Sequence, residues 1–201
     1  MPSETFDRLP GPKRKRIFDG VVSLILEHPI EELTISHVVR QTGIPRGSFY
    51  QYFESLEDTL RYVYVTFIET FEAFKLDQVK GKRLTLMEYF EDSFEADFKF
   101  FTTSQFHDVY LKLMQSRKFV GLDLVVHEKS RMDFIKILLK EIDTSLFSHL
   151  SEQEIIWIYM LYVRVKNQEL QRIISGTITK EEGLKIFRFY LNLILKGAHH
   201  A

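Results

Sequence analysis

Apolar side chains recur along this chain at every third or fourth position, and almost nowhere at every second one. That spacing puts them on one face of a helix rather than on alternating faces of a strand, so the pattern predicts an all-α protein. A first helix follows Pro12, a favoured first-turn residue, and turns Ile17, Val21, Leu24 and His28 inward before Pro29 ends it. Thr34 caps a short second helix containing Val38 and Val39, and Gly43 stops it. A third helix runs from about Pro45 to Phe53, after a turn of only two or three residues. Ser55, with Asp58 three residues on, opens a fourth whose stripe is Leu60, Val63, Tyr64, Phe67, Ile68, Phe71 and Phe74.

Past the basic turn Lys80-Gly81-Lys82-Arg83 the pattern predicts five more helices, about nine in total. One sets Met87, Phe90, Phe94, Phe98 and Phe101 opposite Glu88, Glu91, Glu95 and Lys99. A shorter one covers roughly Phe106 to Gln115, and a long one follows Gly121 as far as about Leu146. The capping boxes Ser151 to Glu154 and Thr179 to Glu182 open the last two, which end near Ser175 and Lys196. The three short helices make a compact module, so the expected domains are residues 1–54 and 55–201.

Composition narrows the function classes. With 201 residues, 45% of them hydrophobic, there is material for one ordinary core or for a small module joined to a larger one. There is no cysteine, which excludes disulfides, thiolate catalysis and cysteine-bound metals. The seven histidines show no metal-ligand spacing; His127-Glu128-Lys129-Ser130-Arg131 lacks the second histidine of a zinc-protease helix. Neither a phosphate-cradling glycine loop nor a nucleophile elbow is found, so no enzyme, metal or cofactor is expected. No apolar run approaches a membrane span and no secretory leader is visible, so a cytoplasmic protein without a membrane partner is expected. The net charge is −1, so any affinity for nucleic acid has to come from a local patch.

The stretch TGIPRGSFYQYFES, residues 42–55, supplies such a patch. Phe49 and Phe53 lie at i, i+4 and share the inward face of the third helix. Arg46, Ser48, Tyr50 and Gln51 then point outward near the helix start, where a reading helix meets base edges. Arginine pairs with guanine through two hydrogen bonds, glutamine pairs with adenine, and serine adapts to either. Gly47 costs about 1 kcal/mol of helix propensity relative to alanine and lets backbone approach a groove wall. The hydroxyls of Thr34, Tyr50 and Tyr52 suit phosphate oxygens, and Lys13, Arg14, Lys15 and Arg16 supply local positive charge.

The run ELTISHVVRQTGIPRGSFYQYFESLEDTL resembles the DNA-binding signature of the TetR-type (tetracycline-repressor-like) transcriptional regulators. The motif covers about Lys13 to Leu60; the rest of the chain fits the family in length and helix content. Four positions depart from its pattern, the first being Glu54 in place of a neutral or basic residue. Leu56 stands where a phosphate-contacting lysine is common, Pro45 replaces a frequent serine, and Pro29 a frequent glycine. The resemblance implies an N-terminal helix-turn-helix followed by a larger helical bundle that binds an effector and dimerises. It also implies a homodimer on a palindromic double-stranded operator, with repression as the usual outcome.

In the larger bundle, residue type and spacing point to candidates for these roles. Phe67, Phe71, Phe94, Phe98, Phe101, Tyr110 and Met114 could line a cavity for a small lipophilic effector, or simply fill a core. Arg164, Asn167 and Gln168 interrupt an apolar helix and could orient a polar head group, or equally be solvated or interfacial. The last helix is apolar on more than one side, as a helix is when two partners cover it. The expected dimer contacts are Ile158, Tyr162, Phe187, Tyr190, Leu191 and Ile194. The alternative is an all-α module that binds proteins or small molecules without reading DNA sequence.

Overall fold

The computed structural model describes residues 2–103, 106–116 and 123–199, the side chains of 106, 114, 115, 123–131 and 199 excepted. Ten α-helices are found among the described residues: α1 (Glu4–Asp7), α2 (Gly11–Glu27), α3 (Ile35–Thr42), α4 (Arg46–Tyr52), α5 (Leu56–Val79), α6 (Leu86–Thr103), α7 (Phe106–Gln115), α8 (Asp123–Lys140), α9 (Glu152–Ile174) and α10 (Lys180–His199). Two single 3₁₀ turns, Ile30–Glu32 and Ser145–Phe147, complete the order. No strand occurs among the described residues; Thr85 and Asp143 form one isolated pairing. The all-α expectation holds, and no described helix is long and apolar enough to cross a membrane.

The chain divides into two compact units. One takes the described residues within Met1–Phe71 and Gln105–Glu128, the other those within Glu72–Ser104 and Lys129–Ala201. In the first unit, Phe6, Ile17, Val21, Ile25, Val38, Phe49, Phe53, Leu60 and Val63 are almost fully buried in one cluster. Val109 and Leu113 of α7 are buried in that same cluster. The Lys112 ammonium donates to the Leu26 carbonyl in the last turn of α2, where a cation also opposes the negative helix end. Gly20 is the close-approach point of α2 and α3: a Cβ there would sit 3.0 Å from the Thr42 methyl. Gly43 ends α3 in the left-handed region, at φ 66°, which a side chain would strain.

The caps follow the sequence closely. Thr34 accepts the His37 N–H, and Ser55 accepts the Asp58 N–H. Both boxes at Ser151 and Thr179 form, and Thr85 with Glu88 makes a third that opens α6.

Three expectations need correction. His28 is no part of the buried stripe: it is the extended residue after α2, exposed, its ring stacked on His37 at 6.0 Å. The helix expected to reach Leu146 stops at Lys140, and a turn through Asp143 folds Phe147 back into the core. The helix after Pro12 is not the first: Glu4–Asp7, too short to carry a period, form α1, and Phe6 is 1% exposed.

In the second unit the core gathers Tyr89, Phe90, Phe94, Ile135, Leu138, Tyr159, Tyr162, Phe187 and Leu191. Phe90 and Tyr162 stack at 3.8 Å, and Phe94 lies 4.5 Å from Phe187.

Candidate nucleic-acid interface

Helix α4 is short, and its two faces differ completely. Phe49 is fully buried, and the ring of Phe53 just past the helix end packs 5.7 Å from it. On the other side Arg46, Gly47, Tyr50 and Gln51 are exposed and Ser48 is half-buried, so the outward set expected from the i, i+4 spacing is the set that faces water. The apolar face orients the helix; the polar face is left for another partner.

Arg46 is held in place. One of its terminal nitrogens donates to Ser36 Oγ at 3.2 Å and the other to Tyr50 Oη at 3.3 Å, with the guanidinium 5.8 Å from the Tyr50 ring centre. The Tyr50 ring in turn lies edge-on against Phe49 at 5.4 Å. Gly47 has nothing within 4 Å of where a Cβ would stand. Packing within the chain therefore gives no reason for glycine at a helix position where it costs stability.

Tyr52 sits differently from the other polar residues of this stretch. Its ring is 4% exposed and its hydroxyl accepts a hydrogen bond from Lys13 Nζ at 3.1 Å, which joins the start of α2 to the end of α4. Ser3 adds a second fastening that sequence reasoning missed. Its N–H donates to the Tyr52 carbonyl at 2.9 Å and its hydroxyl to the Gln51 carbonyl at 2.5 Å, occupying acceptors that the end of α4 leaves open. Phe6 backs this clasp against Tyr52 and Phe53. Of the basic run, Arg14 and Arg16 are exposed, Lys13 is half-buried, and Lys15 pairs with Asp19 at 2.6 Å. Thr34 is exposed at the start of α3.

The second unit has a polar interior that the sequence did not disclose. Asp97 of α6 accepts from Lys75 of α5 at 2.6 Å and from Lys166 of α9, and all three side chains are at most 2% exposed. Ser93 and Tyr162 share a buried hydrogen bond beside them. Burial, together with the charge of Lys166, lowers the Lys75 ammonium to about 7, against the partial support of Asp97. Burial likewise raises the hydroxyls of Tyr89 and Tyr162, and that of Tyr159 to about 12.

The residues assigned to an effector fall in different surroundings. Phe67, Phe71 and Tyr110 are half-buried in the first unit. Phe94 is fully buried and Phe98 and Phe101 are half-buried in the second; the side chain of Met114 lies outside the described residues. Arg164, Asn167 and Gln168 are exposed, because Tyr159, Tyr162, Lys166 and Glu169 take the inward face of α9. The dimer assignments divide in the same way. Tyr162, Phe187 and Leu191 are buried within their own unit, Ile158 and Ile194 are half-buried, and Tyr190 is exposed. The large apolar residues left outward on α9 and α10 are Trp157, Met160, Leu161, Phe189, Tyr190 and Leu193, from 38 to 62% exposed.

Residues 17–63 match the family model described as bacterial regulatory proteins, tetR family. No curated protein is similar enough in sequence to count as a match. Solved structures are similar along most of their length. A TetR family transcription regulator from Marinobacter aquaeolei VT8 is 16% identical with a TM-score of 0.61, covering 90% of this chain and 94% of its own. FadR from Bacillus subtilis, solved in complex with stearoyl-CoA, is 18% identical with a TM-score of 0.60, covering 91% and 98%. A TetR transcriptional regulator from Rhodococcus sp. RHA1 is 14% identical with a TM-score of 0.57, covering 90% and 96%. At such identities the likeness concerns the fold, whereas the match over residues 17–63 concerns the helix-turn-helix itself. Residues 17–63 thus carry a tetR-family N-terminal module, and the chain as a whole shares the fold of these solved structures.

Proposed function

We propose that this protein is a DNA-binding transcriptional regulator that represses from a palindromic operator as a homodimer and responds to a small effector. The observation that carries the reading is the outward face of α4, where Arg46, Tyr50 and Gln51 stand exposed above a fully buried Phe49. Residues 1–54 form the reading module in this proposal. α4 enters the major groove, Gly47 lets its backbone approach closely, and Thr34 with Arg14 and Arg16 takes phosphates. Tyr52 contributes through the Lys13 it holds rather than by direct reach.

The outward apolar residues of α9 and α10 support the dimer. Trp157 with Leu161, and Phe189 with Leu193, lie four apart on their helices, and a second copy covering them brings a second reading helix to the other half-site. The effector is proposed as a lipophilic molecule, of the acyl class that the Bacillus subtilis neighbour was solved with. Inside the second unit the cavity lined by Leu84, Tyr89, Ser93, Leu184, Phe187 and Arg188 would receive it, rather than the exposed Arg164, Asn167 and Gln168.

Selection of bound fragments from genomic DNA, followed by gel shift, tests the whole reading. A two-fold symmetric consensus, bound by a species of twice the chain mass, is the expected result. Enrichment of no sequence would overturn it in favour of a helical module that binds other partners.

A further inference from the structure

Arg46 has five N–H donors, and two of them are spent inside the protein, on Ser36 Oγ and Tyr50 Oη. Those two bonds use one hydrogen on each terminal nitrogen. One further hydrogen on each remains, besides the Nε–H, so the guanidinium can still present a fork. Each hydroxyl that accepts from a cation has one lone pair engaged and its own proton free, which biases it to donate outward. Ser36 and Tyr50 are both exposed, so those protons face whatever approaches α4. The patch therefore offers donors: three on Arg46, one on Ser36 and one on Tyr50.

In the major groove, guanine shows two adjacent acceptors, N7 and O6, whereas adenine and cytosine each put an amino donor in that row. A donor patch fills both guanine acceptors, finds only the single O4 acceptor beside a methyl on thymine, and meets adenine or cytosine amino groups donor to donor. An arginine free to swing could evade that conflict; one tied at both terminal nitrogens has to break those bonds to do so.

We infer that Ser36 is a specificity-determining residue, which fixes the Arg46 guanidinium from the start of α3 and, with Tyr50, turns the reading surface into a donor array selective for guanine. This role rests on the DNA-reading proposal above. Ser36 acts through Arg46 and is thus a positioning residue. It was not among the residues singled out by sequence reasoning, because it lies ten positions away on the other helix.

The experiment is selection from a randomised operator by the full-length protein, with Arg46→Ala first used to identify the base position that Arg46 reads. Ser36→Ala should lower the guanine preference at that same position about tenfold, with other positions and the salt dependence unchanged. Tyr50→Phe keeps the ring and loses the acceptor, so it should lower the same preference by less. Ser36→Thr, which keeps a hydroxyl, should restore it. Far-ultraviolet circular dichroism should be identical for all four, since every altered side chain is exposed. If Ser36→Ala leaves the guanine preference intact, or changes a different base position, the positioning role is wrong while the DNA reading stands. If the wild type selects no sequence, both fall together.

Discussion

The two units handle polar side chains in opposite ways. In the first, Arg46, Tyr50 and Gln51 are exposed, and the polar side chains buried among the unit's described residues are Thr42, Asp58, Thr59 and Ser116, with Asp58 the single charged type among them. In the second, Lys75, Asp97 and Lys166 are at most 2% exposed and hold one another across three helices. Exposed polar groups keep their hydration until a partner replaces it, so the reading face costs the fold little. Buried charges have given up hydration already, and mutual attraction compensates only while every partner is in place. The first unit carries its polar groups for something outside the chain, whereas the second has built them into its own stability.

Removing one member of the buried trio is the hardest blow to that contrast. Asp97→Ala leaves Lys75 and Lys166 in the core without their shared acceptor and should cost about 3–5 kcal/mol by urea denaturation. Replacing all three residues together by Leu and Met should be neutral, or stabilising by about 1–4 kcal/mol. A loss below about 1 kcal/mol for Asp97→Ala would mean that water reaches the cluster, and the comparison would lose its basis.

A pH series sharpens the same point. Lys75 is held at about 7 in the folded protein, below its usual 10.5. Between those values the unfolded chain binds the proton and the folded chain does not, so stability should rise as pH goes from 7 towards 10. Above 10 the raised tyrosines reverse the sign: folded Tyr89, Tyr159 and Tyr162 keep protons that unfolded tyrosines release. Denaturation midpoints should therefore pass through a maximum near pH 10, and Lys75→Met should flatten the rising limb. A wild-type midpoint that falls steadily from pH 7 would contradict the lowered ammonium.

How legible each unit was follows from the same difference. Phe49 and Phe53 announce the inward face of α4 by spacing alone, and the outward residues follow by subtraction. The buried trio is separated by 22 and 69 residues, and each member reads alone as a surface charge. A signal was present on α9, where Lys166 falls four residues after Tyr162 and seven after Tyr159, on the inward stripe. Arg164, Asn167 and Gln168, for which both a ligand-facing and a solvated position are open from spacing, lie exposed. The clasp of Ser3 on α4 was beyond reach for another reason. A four-residue helix has no periodicity, and its partners lie 48 residues along the chain. On α10, which is apolar on two sides, spacing cannot say which side its own core takes. Phe187 and Leu191 went inside, leaving Phe189 and Leu193 out.

On the reading face the effects should be smaller and should appear in binding rather than in folding. Arg46→Ala should cost about 1–3 kcal/mol of discrimination at one base per half-site, measured by gel shift on operators varied at that base. Its unfolding midpoint should match the wild type. An equal loss on every sequence would make Arg46 a phosphate contact instead of a base reader.

Thr34 gives the smallest effect, and it is the place where folding and binding meet in one hydroxyl. The oxygen accepts the His37 N–H and thereby caps α3, while its proton remains available to a phosphate. Thr34→Ala removes both contributions and should lower stability by about 1 kcal/mol along with a drop in DNA affinity. Thr34→Asp separates them. A carboxylate caps a helix start as well as a hydroxyl does, so stability should hold, yet it carries no proton and repels phosphate. Urea denaturation and gel shift on the two variants should therefore disagree: both weaken binding, and only alanine weakens the fold. If Thr34→Asp binds DNA as tightly as the wild type, the hydroxyl serves the cap alone, and every polar group placed at the interface on α3 is left to Ser36.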